Sequence, residues 1–299
     1  MSKNTPVSPT PGVHSLDRPI NVSSIPLRSP FRYPGGKTWL VPRVRHWLTS
    51  LSFQACEFIE PFAGGGIIGL TVAAESLAQH VTMCELDADI AVVWHTILAD
   101  PGGAEWLANR ILNFHPTLET VKEILTSSPG SQRERAFRTI LRNRTFRGGI
   151  LAPGSALLNT GENGRGILSR WYPSTLSERL SDISTVRGRI TFIEGDGLDL
   201  IDGEAHRTNS VWFLDPPYSG GKKAAGKRLY TCYHLDHERL FSLASALEGD
   251  FLMTYEDDKE VVELARSHNL DMELVAMKNT HHNVVYELLI GKNLDWLRR

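Results

Sequence analysis

The run Val211-Trp212-Phe213-Leu214 leads straight into Asp215-Pro216-Pro217-Tyr218. It reads as a buried strand that delivers a carboxylate at its C-terminal edge. Two prolines then fix the backbone and remove two donors, so the Pro216 carbonyl becomes a rigid acceptor. Tyr218 adds an aromatic face. This set suits one task. The exocyclic amine of a nucleobase is a poor nucleophile, because its lone pair is delocalised into the ring. If Asp215 and the Pro216 carbonyl accept its two N–H groups, the nitrogen is drawn towards tetrahedral geometry and the lone pair is released. Tyr218 would stack on a base taken out of its duplex. No metal is needed, and little general-base work, since the proton can leave after transfer.

A second constellation precedes it. Glu57–Glu60 reads as a short strand running into Pro61-Phe62-Ala63-Gly64-Gly65-Gly66-Ile67-Ile68-Gly69. Gly64, Gly66 and Gly69 satisfy G-x-G-x-x-G between a strand and a helix, a pattern that also fits a dinucleotide site. Glu85, 21 residues after Gly64, ends the next strand and could hold a ribose diol in either case. Charge favours one ligand over the other. A pyrophosphate seeks bare N–H groups at a helix N-terminus, and Glu60 at the strand tip would repel it. A cationic sulfonium would be attracted, which describes S-adenosylmethionine.

The chain has 299 residues, which suggests about two domain-sized units. With 32 Lys+Arg against 34 Asp+Glu the net charge is only −2, but the charge is unevenly placed. Residues 131–190 hold eleven arginines, four acids and no lysine, a net +7 that leaves −9 on the rest. Such asymmetry points to an anionic partner for one segment, and Arg's planar fork suits phosphates and base edges. Three cysteines, Cys56, Cys84 and Cys232, are too few and too scattered for a disulfide frame. No apolar run reaches a membrane span of about 18 residues, and the N-terminus lacks a signal-peptide core. These features read as a cytoplasmic protein.

The elements that must position the chemistry alternate. Strand signals occur at Glu57–Glu60, Val81–Glu85, Ile190–Glu194, Val211–Leu214 and Phe251–Tyr255, and Glu273–Met277 with Val284–Ile290 fits a terminal hairpin. Helical periodicity occupies Ile67–Leu77, Ala88–Leu98, Ala104–Leu112 and much of 117–185, with a loop around Gly148–Gly166. The expected fold is α/β, with a mostly parallel sheet that binds ligands at strand C-termini. Residues 1–29 read as a flexible arm, 30–112 and 186–299 as a catalytic domain, and 113–185 as an inserted, mainly helical domain.

Taken together, the chain resembles the Dam-like family of N6-adenine DNA methyltransferases. Phe31-Arg32-Tyr33-Pro34-Gly35-Gly36-Lys37 looks like the family's N-terminal cofactor motif, Glu60–Gly66 like its glycine loop and Asp215–Tyr218 like its catalytic motif. The resemblance implies a Rossmann-like methyltransferase fold, S-adenosylmethionine as cofactor and double-stranded DNA as partner. It implies catalytic roles for Asp215, Pro216, Pro217 and Tyr218. It implies cofactor contacts from Tyr33, Lys37 (near the cofactor carboxylate), Glu60, Pro61, Phe62, Gly64, Glu85, Asp196 and Asp215. The family places its target-recognition domain where the Arg-rich insert lies, so Arg142, Arg144, Arg147 and Arg165, with Lys222 and Lys223 of a basic loop, are the expected DNA contacts. A restriction endonuclease encoded elsewhere is a candidate partner, and the expected assembly is a monomer or weak dimer. Arg142–Gly149 matches the family's recognition pattern only in part, so the recognised sequence does not carry over. Methylation of cytosine N4, or of an RNA or protein amide nitrogen, is the alternative, and an NAD-dependent oxidoreductase a more distant one. His281 and His282 have no Cys or carboxylate cluster beside them and read as loop residues, with no metal.

Overall fold

The computed structural model describes residues 14–16, 19–32, 35–53, 55–152, 154–161, 164–217, 235–278 and 283–298. Among them, eight strands form one sheet: β1 (His14–Leu16), β2 (Glu57–Glu60), β3 (His80–Glu85), β4 (Ile190–Glu194), β5 (Ser210–Leu214), β6 (Asp250–Glu256), β7 (Asp271–Lys278) and β8 (Val284–Gly291). Their order is β1-β7-β8-β6-β5-β2-β3-β4. Every neighbouring pair is parallel except the two made by β8, which runs antiparallel to β6 and β7. The expected mostly parallel sheet with a C-terminal antiparallel hairpin is present. The short strand β1 falls inside the stretch read as a flexible arm and adds an edge to the hairpin.

The helices are α1 (Val41–Ser50), α2 (Ile67–Ala74), α3 (Ala88–Leu98), α4 (Gly103–Leu112), α5 (Leu118–Thr126), α6 (Gln132–Thr145), α7 (Pro173–Val186), α8 (Gly197–Glu204), α9 (His237–Ala246), α10 (Lys259–Ser267) and α11 (Asp295–Arg298). The sequence reading passed over α1, α8, α9 and α10, and ran α2 three residues too far. At that end, Glu75 and Ser76 leave the helix, Ser76 with φ +56°.

Side chains alternate across a strand, and the sheet uses both faces. Phe58, Phe213, Leu252 and Leu289 face one apolar cluster with α1 to α4, while Ile59, Trp212, Met253 and Ile290 face another with α8, α9 and α10. The insert builds no core of its own. Val121, Phe137, Ile140, Trp171, Leu176 and Leu180 belong to the same buried cluster as Phe58 and Ile90. The inserted stretch is therefore distinct in sequence and continuous with the catalytic body in packing. Among the described residues, no helix is long and apolar enough to cross a membrane.

The direction of winding across the sheet reverses between the parallel neighbours β2 and β5. From β2 the chain winds outwards to β3 and β4, and then returns to β5 on the other side of β2. Such a switch point opens a crevice at the strands' carboxyl ends. Glu60 and Asp215 stand at those two ends.

Candidate active site

A cavity of about 950 Å³ opens there. It brings together Lys37, Glu60, Pro61, Phe62, Glu85, Asp196, Asp215, Pro216 and Pro217, residues separated by up to 180 positions in sequence. Tyr33, Tyr218, Lys222, Lys223, His281 and His282 lie outside the described residues. Among the described residues no group of three or more metal-ligating side chains occurs.

The glycine loop is shaped by its carboxylates. Gly66 adopts φ +63° and caps α2; a Cβ there would come within 2.5 Å of Met83 Cε and 2.9 Å of Trp94 Cζ2. Trp94 Nε1 donates to the Gly64 carbonyl at 3.0 Å, and Phe31 packs edge-on against the same indole. The Gly69 N–H donates to Glu60 Oε2 at 2.9 Å, satisfying one of the open donors of the helix's first turn. A side chain at position 69 would strike that carboxylate, at 2.5 Å from its Cβ. Glu85 accepts from Gly64 N–H and from Asp87 N–H, both at 2.8 Å. Gly64 thus shapes the pocket through Glu85 without lining it. Asp196 is the N-cap of α8, its Oδ1 accepting from Leu198 N–H at 2.8 Å.

These carboxylates are held against their preference. Burial pushes the Glu60 carboxyl well above its usual value, with the Gly69 N–H opposing and the nearby Asp215 and Glu85 charges adding to the rise. Burial likewise raises Glu85 to about 7, against the N–H bonds it accepts. Two carboxylates this deep, with no cation among the described residues bonded to either, suit a cationic ligand. Each ionised carboxylate has about four acceptor sites, so Glu85 keeps capacity for a diol beyond its two N–H bonds. The donor set fits S-adenosylmethionine on both counts.

Lys37, which the resemblance puts near the cofactor carboxylate, lines the cavity between two acids. Its side chain is only 3% exposed, and its Nζ lies 3.0 Å from Asp215 Oδ1 and 3.3 Å from Glu287 Oε1, also donating to the Gly35 carbonyl. The ammonium is thus directed at Asp215, at the head of the Asp-Pro-Pro run. Thr254, fully buried on β6, donates to the same Asp215 Oδ1 at 2.7 Å. The carboxylate of Asp215 is fixed through one oxygen by two donors. Glu287 was not found in the sequence. It sits on β8, its Oε2 has no hydrogen-bond partner, and burial lifts it to about 7 against the pull of Lys37. The signal available was an acid inside an apolar strand, Val284-Val285-Tyr286-Glu287-Leu288-Leu289-Ile290. Tyr255, beside Thr254, bonds His237 Nδ1 through its hydroxyl at 2.7 Å; burial and Asp215 push that phenol upwards.

The arginines of 131–190 divide. Arg133 and Arg135 bind the body, pairing with Asp100 at 2.6 Å and Asp89 at 2.8 Å. Arg189 bonds Ser76 and the Ala73 carbonyl. Arg142 lies over the Phe146 ring at 5.2 Å, outside the cavity. Arg147 and Arg165 are exposed, whereas Arg144 is buried and lines the cavity. Arg32, Arg170 and Arg179 line it as well and were not singled out in the sequence.

Residues 33–137 match the family model described as D12 class N6 adenine-specific DNA methyltransferase. The matched stretch contains the Lys37 motif, the glycine loop and the start of the insert. Over that stretch the chain is similar to that methyltransferase family, and S-adenosylmethionine is the cofactor such an enzyme uses. No curated protein matches significantly. Solved structures that superpose on the chain include precorrin 8w decarboxylase of Methanobacterium thermoautotrophicum, at 10% identity and TM-score 0.33, covering 84% of this chain and 90% of that one. Escherichia coli yhhF superposes at 11% identity and TM-score 0.34, covering 85% and 87%. Precorrin-6y C5,15-methyltransferase of Geobacter metallireducens superposes at 11% identity and TM-score 0.32, covering 83% and 86%. At these scores the superpositions carry no functional inference, and the fold rests on the strand order itself.

Proposed function

We propose that the protein is a site-specific DNA methyltransferase that methylates the N6 amine of adenine. The observation that carries this reading is the environment of Asp215: a strand-end carboxylate anchored through Oδ1 by Lys37 and Thr254, and followed by Pro216 and Pro217 in a cavity lined by acids. Bound S-adenosylmethionine supplies an electrophilic methyl group on a positively charged sulfur.

Everything else is asked of the chain's own residues. Asp215 and the Pro216 carbonyl accept the two N–H groups of the target amine and orient its lone pair. The amine nitrogen gains positive charge as it reacts, and an anionic surrounding stabilises that charge where it develops. Lys37, shared between Asp215 and Glu287, leaves this trio with a net negative charge when both acids are ionised. Lys37 thus keeps Asp215 in place without cancelling the field. Glu60 and Glu85 answer the cofactor's positive charge and its ribose. Asp196, already capping α8 at the cavity wall, is placed to meet the adenine. Arg147 and Arg165 face solvent, where duplex phosphates would meet them. DNA is favoured over RNA or protein by the family match over 33–137.

Wild-type protein is incubated with methyl-labelled S-adenosylmethionine and, in parallel, unmethylated duplex DNA, RNA and protein. Label is expected in DNA. Label confined to RNA or protein overturns the reading.

A further inference from the structure

Besides the acids, the same cavity is lined by Arg32, Arg144, Arg170 and Arg179, and by Tyr172. Three of the four, Arg32, Arg144 and Arg179, make no ion pair with any described carboxylate. Arg144 donates to the Pro30 carbonyl, and Arg179 to the Ser29 carbonyl at 3.0 Å. The Arg144 side chain is nearly inaccessible, and its Nε has no acceptor. Arg144 feels the other three cations and Arg32 feels Arg170. Burial first, then Arg179, Arg32 and Arg170, lowers Arg144 to about 9, and burial with Arg170 lowers Arg32.

Tying the 29–30 segment by its carbonyls needs hydrogen-bond donors, not charge. A glutamine would donate with a smaller desolvation cost. Clustered guanidinium groups instead repel one another, and the buried Arg144 Nε is left without an acceptor. A bound oxyanion removes both penalties, and the planar fork of arginine matches two non-bridging oxygens at once. The oxyanion must also arrive with the substrate. A base whose amine reaches Asp215 carries its sugar and both neighbouring phosphodiesters with it. A cofactor carboxylate is one charge, a poor match for four cations in one wall.

We infer that Arg32, Arg144, Arg170 and Arg179 form an internal phosphodiester subsite that grips the target strand beside the extruded nucleotide. This inference rests on the DNA reading above. It sets these residues apart from Arg147 and Arg165, whose contacts would be with the outer duplex.

The test uses the full-length protein and a duplex containing the site it methylates. Each phosphodiester flanking the target adenine is replaced in turn by a neutral methylphosphonate. Wild type is expected to lose about tenfold in affinity at one of these linkages, the scale of a charge-assisted hydrogen bond. Arg179→Met is expected to lose as much on unmodified DNA, and no more when the linkage is neutral. Arg32→Met serves as the second variant, and thermal melting checks that both fold. If wild type tolerates every flanking methylphosphonate, the subsite is overturned while methylation stands. If Arg179→Met weakens only S-adenosylmethionine binding, the cluster serves the cofactor carboxylate and the inference fails. If wild type transfers no methyl to DNA, both readings fail.

Discussion

One cavity has two walls of opposite charge, and the sequence treated them unequally. The acidic wall, Glu60, Glu85 and Asp215, comes from strand ends and announces itself through motifs. The cationic wall comes from Arg32 near the N-terminus, Arg144 at the end of α6, Arg170 and, on α7, Arg179. Arg32 falls inside the Phe31–Lys37 run and Arg144 inside Arg142–Gly149, Arg170 and Arg179 fall inside neither, and nothing local groups the four. In both walls burial acts against the charged form, raising Glu60 and Glu85 and lowering Arg32, Arg144 and Arg179. Each wall is strained without a ligand of opposite charge. On the readings proposed above, a cationic cofactor with an amine would relieve one, and phosphates would relieve the other.

The comparison is broken most severely at Asp215. Asp215→Ala should lower methyl transfer by about a hundred- to a thousandfold, the usual effect of deleting one aligned partner of the transition state. DNA affinity should stay within a few fold, because the cationic wall is untouched. Filter binding beside single-turnover transfer separates the two quantities.

Glu287→Gln should reduce kcat by about tenfold, since one neighbouring charge that stabilises the reacting amine is lost. Its effect on KM should be small. In wild type, kcat should fall as pH drops through about 7, where Glu287 becomes protonated. The facing charges are Lys37, Asp215 and, across from it on β6, Glu256. In Glu287→Gln that part of the profile should flatten, which a merely structural role would not produce.

Stability responds to the same burial. Glu85 titrates near 7 in the folded protein against 4.5 ordinarily. Between those values the folded state keeps a proton that the unfolded chain has released, so stability falls as pH rises through the window and is level above it. The difference corresponds to about 3 kcal/mol. Melting temperature without cofactor should be lower at pH 8 than at pH 5, and Glu85→Gln should shrink the gap.

The gentlest effects belong to the outer arginines. Replacing Arg147 and Arg165 with Ala should lower the slope of log Kd against log salt by about one per phosphate contact. Arg133→Ala should leave that slope unchanged, because Arg133 is bonded to Asp100 and the Pro101 carbonyl. A slope change there would put the body-facing arginines at the DNA.

The sheet was legible because its strands are short apolar runs ended by glycine and acids, and α3 was read to the residue at Ala88–Leu98. The acidic wall was legible for the same reason. What escaped depends on contacts between distant positions. Lys37 meets Glu287 across 250 residues, and nothing local to Lys37 says that its partner is an acid of the last strand. Glu273 shows why the buried-acid signal alone is not decisive. It too lies inside an apolar strand and is buried, but Arg298 bonds it at 2.9 Å, far from the catalytic motif in sequence. The +7 of residues 131–190 was read as one surface. In the structure it is shared among pairs with the acidic body, the inner wall and exposed positions. Likewise, an insert with its own helices looked self-contained until Phe137 and Trp171 joined the core around Phe58.

The central claim is that this cavity delivers a methyl group to adenine N6. Duplex DNA treated with wild-type protein and S-adenosylmethionine, digested to nucleosides and resolved by mass and retention, tests it most directly. The account predicts N6-methyladenine as the modified nucleoside. N4-methylcytosine in its place, or DNA that gains no methyl group, would contradict it.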